Sequence, residues 1–165
     1  RVRCIRSSSS AASEVDKRQG VDLWIAGEGP DTAALQARTE SDPRIHWLGR
    51  VTDEDKIARL RGADVFCAPS LGGESFGVVL IESMAAGTTV VASGLDGYRN
   101  VATHEQDALL VEPGDAGALA AAIQRALGDD DLADRLRANG SLRALDFSMS
   151  TLVDHYIRIY RRLIA

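Results

Sequence analysis

Ser70-Leu71-Gly72-Gly73-Glu74-Ser75-Phe76-Gly77-Val78-Val79-Leu80-Ile81-Glu82-Ser83-Met84-Ala85-Ala86-Gly87 is the most informative stretch of this chain. An apolar run, Asp64 to Ala68, leads into a small glycine-rich loop, and the loop opens a predicted helix whose first turn is Ser75-Phe76-Gly77. A helix start carries N–H groups without partners and the positive end of the dipole, so it attracts phosphate. Gly72, Gly73 and Gly77 let a ligand approach the backbone, since no Cβ stands in the way. Glu74 before the helix and Glu82 about two turns inside it lie eight residues apart and are placed to face the same cleft as those N–H groups. Donors for phosphate combined with carboxylates for hydroxyls point to a nucleotide sugar.

Each piece has a bland reading too. A Gly-Gly pair before a helix is ordinarily a turn, Ser75 an N-cap, and a lone Glu82 exposed helix surface. The neighbours of Glu82 argue otherwise. Phe76, Val78, Val79, Leu80, Ile81, Met84, Ala85 and Ala86 make the helix apolar nearly all round, as in a buried crossover helix. A carboxylate there needs a partner or a ligand.

Working outward, Val21–Ala26, Ile45–Leu48, Asp64–Ala68, Thr89–Ser93 and Ala108–Val111 read as strands. Helices are expected over Asp31–Thr39, from Thr52 to Arg61, over Ser75–Ala86, and as a short turn around Tyr98–Thr103. Asp115–Leu127, Leu132–Ala138 and Met149–Leu163 complete them. Thr52 with Asp55 three residues on resembles a capping box. Alternating strands and helices imply an α/β fold, a Rossmann-like three-layer arrangement on a parallel sheet. Residues 1–20, rich in Arg, Ser and Ala without periodicity, are expected to form a disordered leader, and residues 21–165 one domain.

Composition bounds the partners. The chain has 165 residues, enough for one domain with a sizeable core. A net charge of −5 argues against nucleic-acid binding and against a dominant basic membrane patch. Cys4 and Cys67 read as reduced thiols, which implies a cytoplasmic setting, and no apolar run reaches the ~18 residues of a membrane span. Gly27-Glu28-Gly29 is followed by Thr32 where a dinucleotide fingerprint places its third glycine, so a nicotinamide cofactor is not implied. His46, His104 and His155 have no ligand spacing, and Asp129-Asp130-Asp131 reads as the acidic start of a helix, not a metal site. No metal and no cofactor is expected.

Glu74-Ser75-Phe76-Gly77 through Glu82, then Ala85-Ala86-Gly87-Thr88-Thr89-Val90-Val91-Ala92-Ser93, resembles the Glu-x7-Glu signature of retaining glycosyltransferases with the GT-B fold. The group is glycosyltransferase family four, whose members use nucleotide-diphosphate sugars. Leu48-Gly49-Arg50-Val51, Lys56, Ala63–Pro69 and Gly94-Leu95-Asp96-Gly97-Tyr98-Arg99 support the resemblance, which runs from about Val21 to the end. It implies the C-terminal, donor-binding half of a GT-B fold, with the first strand of that half missing and the N-terminal acceptor domain absent.

By the same resemblance, Glu74 holds hydroxyls of the transferred hexose and is the residue nearest the chemistry. Gly73, Ser75, Phe76, Gly77, Val78 and Val79 line the sugar and phosphate site, and Glu82 grips the ribose. Gly49, Arg50, Val51 and Lys56 line the nucleobase pocket. The implied activity is transfer of mannose from GDP-mannose to a lipid or glycan acceptor with retention, metal-free, at the inner face of the membrane through the acceptor domain. This chain alone is then expected to be inactive. A sugar-nucleotide 2-epimerase and a non-catalytic nucleotide-binding remnant are the alternatives.

Overall fold

A computed structural model describes residues 20–164, so the expectation of a leader falls outside it except at Gly20. In chain order the elements are β1 (Leu23–Ala26), α1 (Thr32–Thr39), β2 (Ile45–Gly49), α2 (Asp53–Arg61), β3 (Val65–Ala68) and α3 (Val78–Ala85). There follow β4 (Thr89–Ser93), α4 (Asp96–Arg99), β5 (Leu109–Val111), α5 (Ala116–Gly128), α6 (Asp130–Asp146) and α7 (Met149–Leu163). All pairings between these strands are parallel. Among the described residues they form two ladders, β1–β2 and β3–β4–β5, where a single sheet was expected.

Both ladders nevertheless lie in one layer. Side chains alternate along a strand, and alternate residues of β1, β3, β4 and β5 feed two different cores. Leu23, Ile25, Val65, Cys67, Val91 and Leu109 pack against Leu119 and Ile123 of α5 and Leu132 and Leu136 of α6. Phe66, Ala68, Val90, Ala92 and Leu110 pack with Leu60 of α2, Leu80 and Met84 of α3, and Tyr98 of α4, with Trp24 and Ala26 at the margin. Burial on both faces is why β3 and β4 read as unbroken apolar runs.

The helix starts follow local chemistry. The side chains of Thr52, Asp115, Asp129 and Ser148 accept the N–H groups of Asp55, Ala118, Leu132 and Thr151 at 2.8–3.2 Å, satisfying orphan donors. Asp129 is thus a cap, as its acidic run implies. Asp31 makes no such bond. The α3 end is a Schellman motif: Gly87, at φ +77°, donates to Met84 O, and Thr88 N donates to Ser83 O.

Three boundaries differ from the expectation. α6 continues past Ala138 to Asp146, and Gly140 within it sits at the crossing with α3, where a Cβ would lie 3.2 Å from Met84 Cγ. The short helix before β5 lies at Asp96–Arg99, earlier than Tyr98–Thr103. α3 begins at Val78 and is not buried all round: Phe76 is 43% exposed and Val78 59%. α7 buries none of its residues, although Leu152, Val153, Tyr156, Ile157 and Tyr160 recur at helical spacing.

Asp107, buried in the turn before β5, accepts the Thr103 N–H at 2.7 Å. Burial raises its pKa above its ordinary value, and the hydrogen bond only partly opposes this. A raised folded value means that the protonated form is favoured by folding. Its contribution is complete below the unfolded pKa and is lost as pH rises through the folded one. Asp107→Asn keeps an acceptor for Thr103 without the buried charge. It is expected to melt no lower than the parent at pH 7.5, with any advantage shrinking as the pH falls towards 4. A clear loss of melting temperature at pH 7.5 would show that the charge itself is needed.

Candidate functional site

The site starts where β3 ends. Pro69 cannot continue the ladder, and Ser70–Gly77 forms a loop across the strand ends. Gly73 and Gly77 take positive φ, +77° and +91°. The expected helical turn Ser75-Phe76-Gly77 therefore belongs to the loop, and Gly77, not Ser75, is the residue before the helix. The cause is tertiary. A Cβ on Gly77 would lie 2.8 Å from the ring of buried Tyr98, so the chain passes there only as glycine.

α4 braces this loop from below. Gly97 lies so close to the Glu74 carbonyl that a Cβ would approach it to 2.1 Å. The Tyr98 hydroxyl is 3.1 Å from Ser70 Oγ, and Ser70 in turn donates to Glu74 Oε1 at 3.1 Å. Glu74 is thereby held, half-buried, on the loop. Phe76 meets Phe147 edge to face at 5.7 Å between ring centres, tying the loop to the end of α6. Ser70, Gly97 and Tyr98 are the residues the reading of individual motifs missed. Ser70 opens the glycine-loop stretch and Gly97 and Tyr98 lie in Gly94–Arg99, both stretches quoted above without a role for these residues.

Beside the loop lies a cleft of about 380 Å³ lined by Ala26, Gly27, Arg50, Val51, Lys56, Leu60, Phe66 and Val79. It brings together Arg50, Val51, Lys56 and Val79, four of the residues expected to hold a nucleotide. Gly49 stands behind them, at φ +60°, its carbonyl accepting the Gly27 N–H at 2.7 Å. The floor is apolar and the rim cationic. The first-turn N–H groups of α3 at Val78 and Val79 have no carbonyl one turn back to bond, which leaves donors at this edge.

Glu82 is the fifth residue of α3, one turn in instead of two. Its carboxylate accepts a hydrogen bond from Lys56 Nζ at 2.8 Å, and Asp53 Oδ1 lies 3.1 Å from the same nitrogen. The Glu82 bond, the largest influence, raises the Lys56 pKa above its ordinary value against the opposing effect of burial. Glu82 and Lys56 border a second groove of about 420 Å³ between α2 and α3, with Asp53, Ile57, Arg61, Ala85 and Ala86. Glu74 and Glu82 therefore do not line one cleft in this chain. Among the described residues no group of three or more His, Cys, Asp or Glu could hold a metal ion, and no helix is long and apolar enough to cross a membrane.

At the strand ends of the parallel α/β layer, a glycine loop thus meets a carboxylate-bearing helix. The family described as Glycosyl transferases group 1 matches residues 5–129, and the chain belongs to that family. It is 41% identical over 140 residues to the phosphatidyl-myo-inositol mannosyltransferase of Mycobacterium leprae, covering 85% of this chain and 37% of that protein. The enzyme of the same name from Mycobacterium tuberculosis is 38% identical over 150 residues, covering 88% and 40%. The chain thus spans less than half the length of these relatives.

Solved structures agree on the fold. Sucrose-phosphate synthase from Thermosynechococcus elongatus superposes with a TM-score of 0.81 at 29% identity, over 99% of this chain and 45% of that one. Anabaena HepE, solved in complex with UDP-glucose, gives 0.81 at 20% identity, over 98% and 48%. The fold is that of the C-terminal half of GT-B glycosyltransferases.

Proposed function

We propose that this chain is the donor-binding half of a retaining mannosyltransferase that takes mannose from GDP-mannose. The observation that carries the reading is the cleft shared by Arg50, Val51, Lys56 and Val79, the last of them two residues beyond Gly77 at the end of the Glu74 loop. A base fits against its apolar floor, and the diphosphate extends toward the N–H groups of Phe76–Val79. Glu82 takes the ribose and Glu74 the hexose hydroxyls, each carboxylate accepting two O–H donors. As the glycosidic bond breaks, negative charge grows on the leaving phosphate. The backbone donors, already aimed there, stabilise it without a bound metal. Glu74 positions the sugar and is no nucleophile.

Two kinds of relative support this reading: the mannosyltransferases matched in sequence, and HepE, whose structure holds a nucleotide sugar. Phosphatidylinositol lipids suit the acceptor, which would be held by the remaining part of a longer protein at the cytoplasmic membrane surface. Transfer needs that second surface, since holding two reactants together supplies much of the barrier reduction.

Titration calorimetry with GDP, UDP, ADP and GDP-mannose tests the donor. GDP and GDP-mannose should bind and ADP should not; preference for UDP would transfer the reading to a UDP-sugar. Glu74→Ala should weaken GDP-mannose by roughly 1.5–3 kcal/mol, the range for a charge-assisted hydrogen bond, and leave GDP nearly unchanged. Glu82→Ala should weaken both. Equal losses for the two ligands in Glu74→Ala would remove Glu74 from the hexose.

A further inference from the structure

Among the described residues, Lys56 is the one that borders both clefts, whereas Glu82 borders the groove between α2 and α3. An ammonium has three N–H donors. One goes to Glu82 Oε1 at 2.8 Å, and a second is within reach of Asp53 Oδ1 at 3.1 Å. Asp53 sits on the first turn of α2, one turn before Lys56. The nitrogen is therefore held from two sides.

We infer that Lys56 is a positioning residue: it fixes the Glu82 carboxylate at the boundary between the two clefts, so that Glu82 takes the vicinal hydroxyls of a ribose whose base lies against Arg50 and Val51. This rests on the nucleotide reading above and departs from a direct nucleobase contact for Lys56. A carboxylate bonding two adjacent hydroxyls must present both oxygens in one plane. A glutamate half-exposed on a helix explores many rotamers, and the bond from Lys56 selects among them while leaving Oε2 entirely available. Both partners are partly solvated, with side chains 28% and 36% exposed, so the raw Coulomb attraction is modest. Orientation is the larger part of what Lys56 supplies.

The test compares GDP with 2′,3′-dideoxy-GDP by calorimetry on the 165-residue chain, substituting the UDP pair if UDP binds tighter. The parent should favour the ribose form by about tenfold, the equivalent of roughly 1.4 kcal/mol. In Lys56→Met this preference should collapse to the level of Glu82→Ala, over and above any loss common to both ligands, since Lys56 also lines the cleft. The double variant should be no worse than either single one, as expected of residues acting as a unit. Lys56→Arg should restore part of the preference, and thermal melts will establish that each variant is folded. Asp53→Asn, on the exposed side of α2, should give a smaller loss in the same direction. Equal weakening of both ligands in Lys56→Met would assign Lys56 to base or phosphate and overturn the inference alone. Failure of every nucleoside diphosphate to bind the parent would overturn the nucleotide reading, and the inference with it.

Discussion

Phe66→Ala is expected to lower the stability of this chain by about 3–5 kcal/mol, the range for removing a core phenylalanine. Phe66 is 1% exposed, lies at the centre of β3, and is packed with Leu60, Leu80 and Tyr98. Its position decides the size of the effect. β3 is paired with β4 and its side chains are buried on both faces, so the void cannot collapse cheaply. Domains of this kind have about 5–15 kcal/mol in all, so the variant keeps only part of its margin. Melting should fall by roughly 6–20 °C for a chain of this size. The same ring forms part of the floor of the 380 Å³ cleft, so nucleotide affinity should fall as well. Phe66→Leu, nearly conserving volume, should cost less than about 1.5 kcal/mol. A melting temperature for Phe66→Ala within 2–3 °C of the parent, where the range above begins at about 6 °C, would contradict the packing described.

Gly77→Ala should be the second most damaging change, by a different route. At φ +91° a Cβ meets the preceding backbone, which costs about 1–2 kcal/mol. It also enters the space of the Tyr98 ring, at 2.8 Å from Cδ1. Overpacking of that kind costs about 1–3 kcal/mol, and a combined loss of about 2–5 kcal/mol is expected. Binding should suffer beyond the loss of stability, since Gly77 sets the path of the N–H groups at Val78 and Val79. Gly72→Ala is the control. A Cβ there meets nothing within 4 Å, so its melting should shift by no more than about 0.5 kcal/mol equivalent. Equal effects for the two glycines would mean that the loop follows another path.

The contrast between these two glycines bears on what the sequence could reveal. β3 and β4 were legible because burial on both faces removes alternation and leaves Val65-Phe66-Cys67-Ala68 and Thr89–Ser93 as continuous runs. The start of α2 was legible through its cap at Thr52, whereas the caps of α5 and α7 at Asp115 and Ser148 emerge only in the structure. The start of α3 was not legible. Ser75-Phe76-Gly77 has a helix-opening composition, but Gly77 takes φ +91° packed against Tyr98, 21 positions further on by residue number, and the helix begins only after it. α6 was cut short for a related reason. The helix was expected to end at Ala138, whereas Gly140, two residues on, lies inside it where α3 approaches.

In the site, Arg50, Val51, Lys56 and Val79 do converge on one cleft. The exchange of hydrogen bonds between Lys56 and Glu82, 26 residues apart, and between Ser70 and Tyr98, 28 apart, is long-range and leaves no local pattern. Glu82 met its need for a partner within the chain itself. That need was readable from its apolar neighbours, but the identity of the partner was not.

The bracing of the Glu74 loop by α4 has a consequence for the time course of binding. With Gly97 against the loop backbone and Tyr98 holding Ser70 and, through it, Glu74, the loop is shaped before any ligand arrives. Little ordering remains to be done on encounter, so the chain does not wait for a rare open form. In stopped-flow mixing, a fluorescent nucleotide should then bind in a single phase whose observed rate rises linearly with concentration and does not level off.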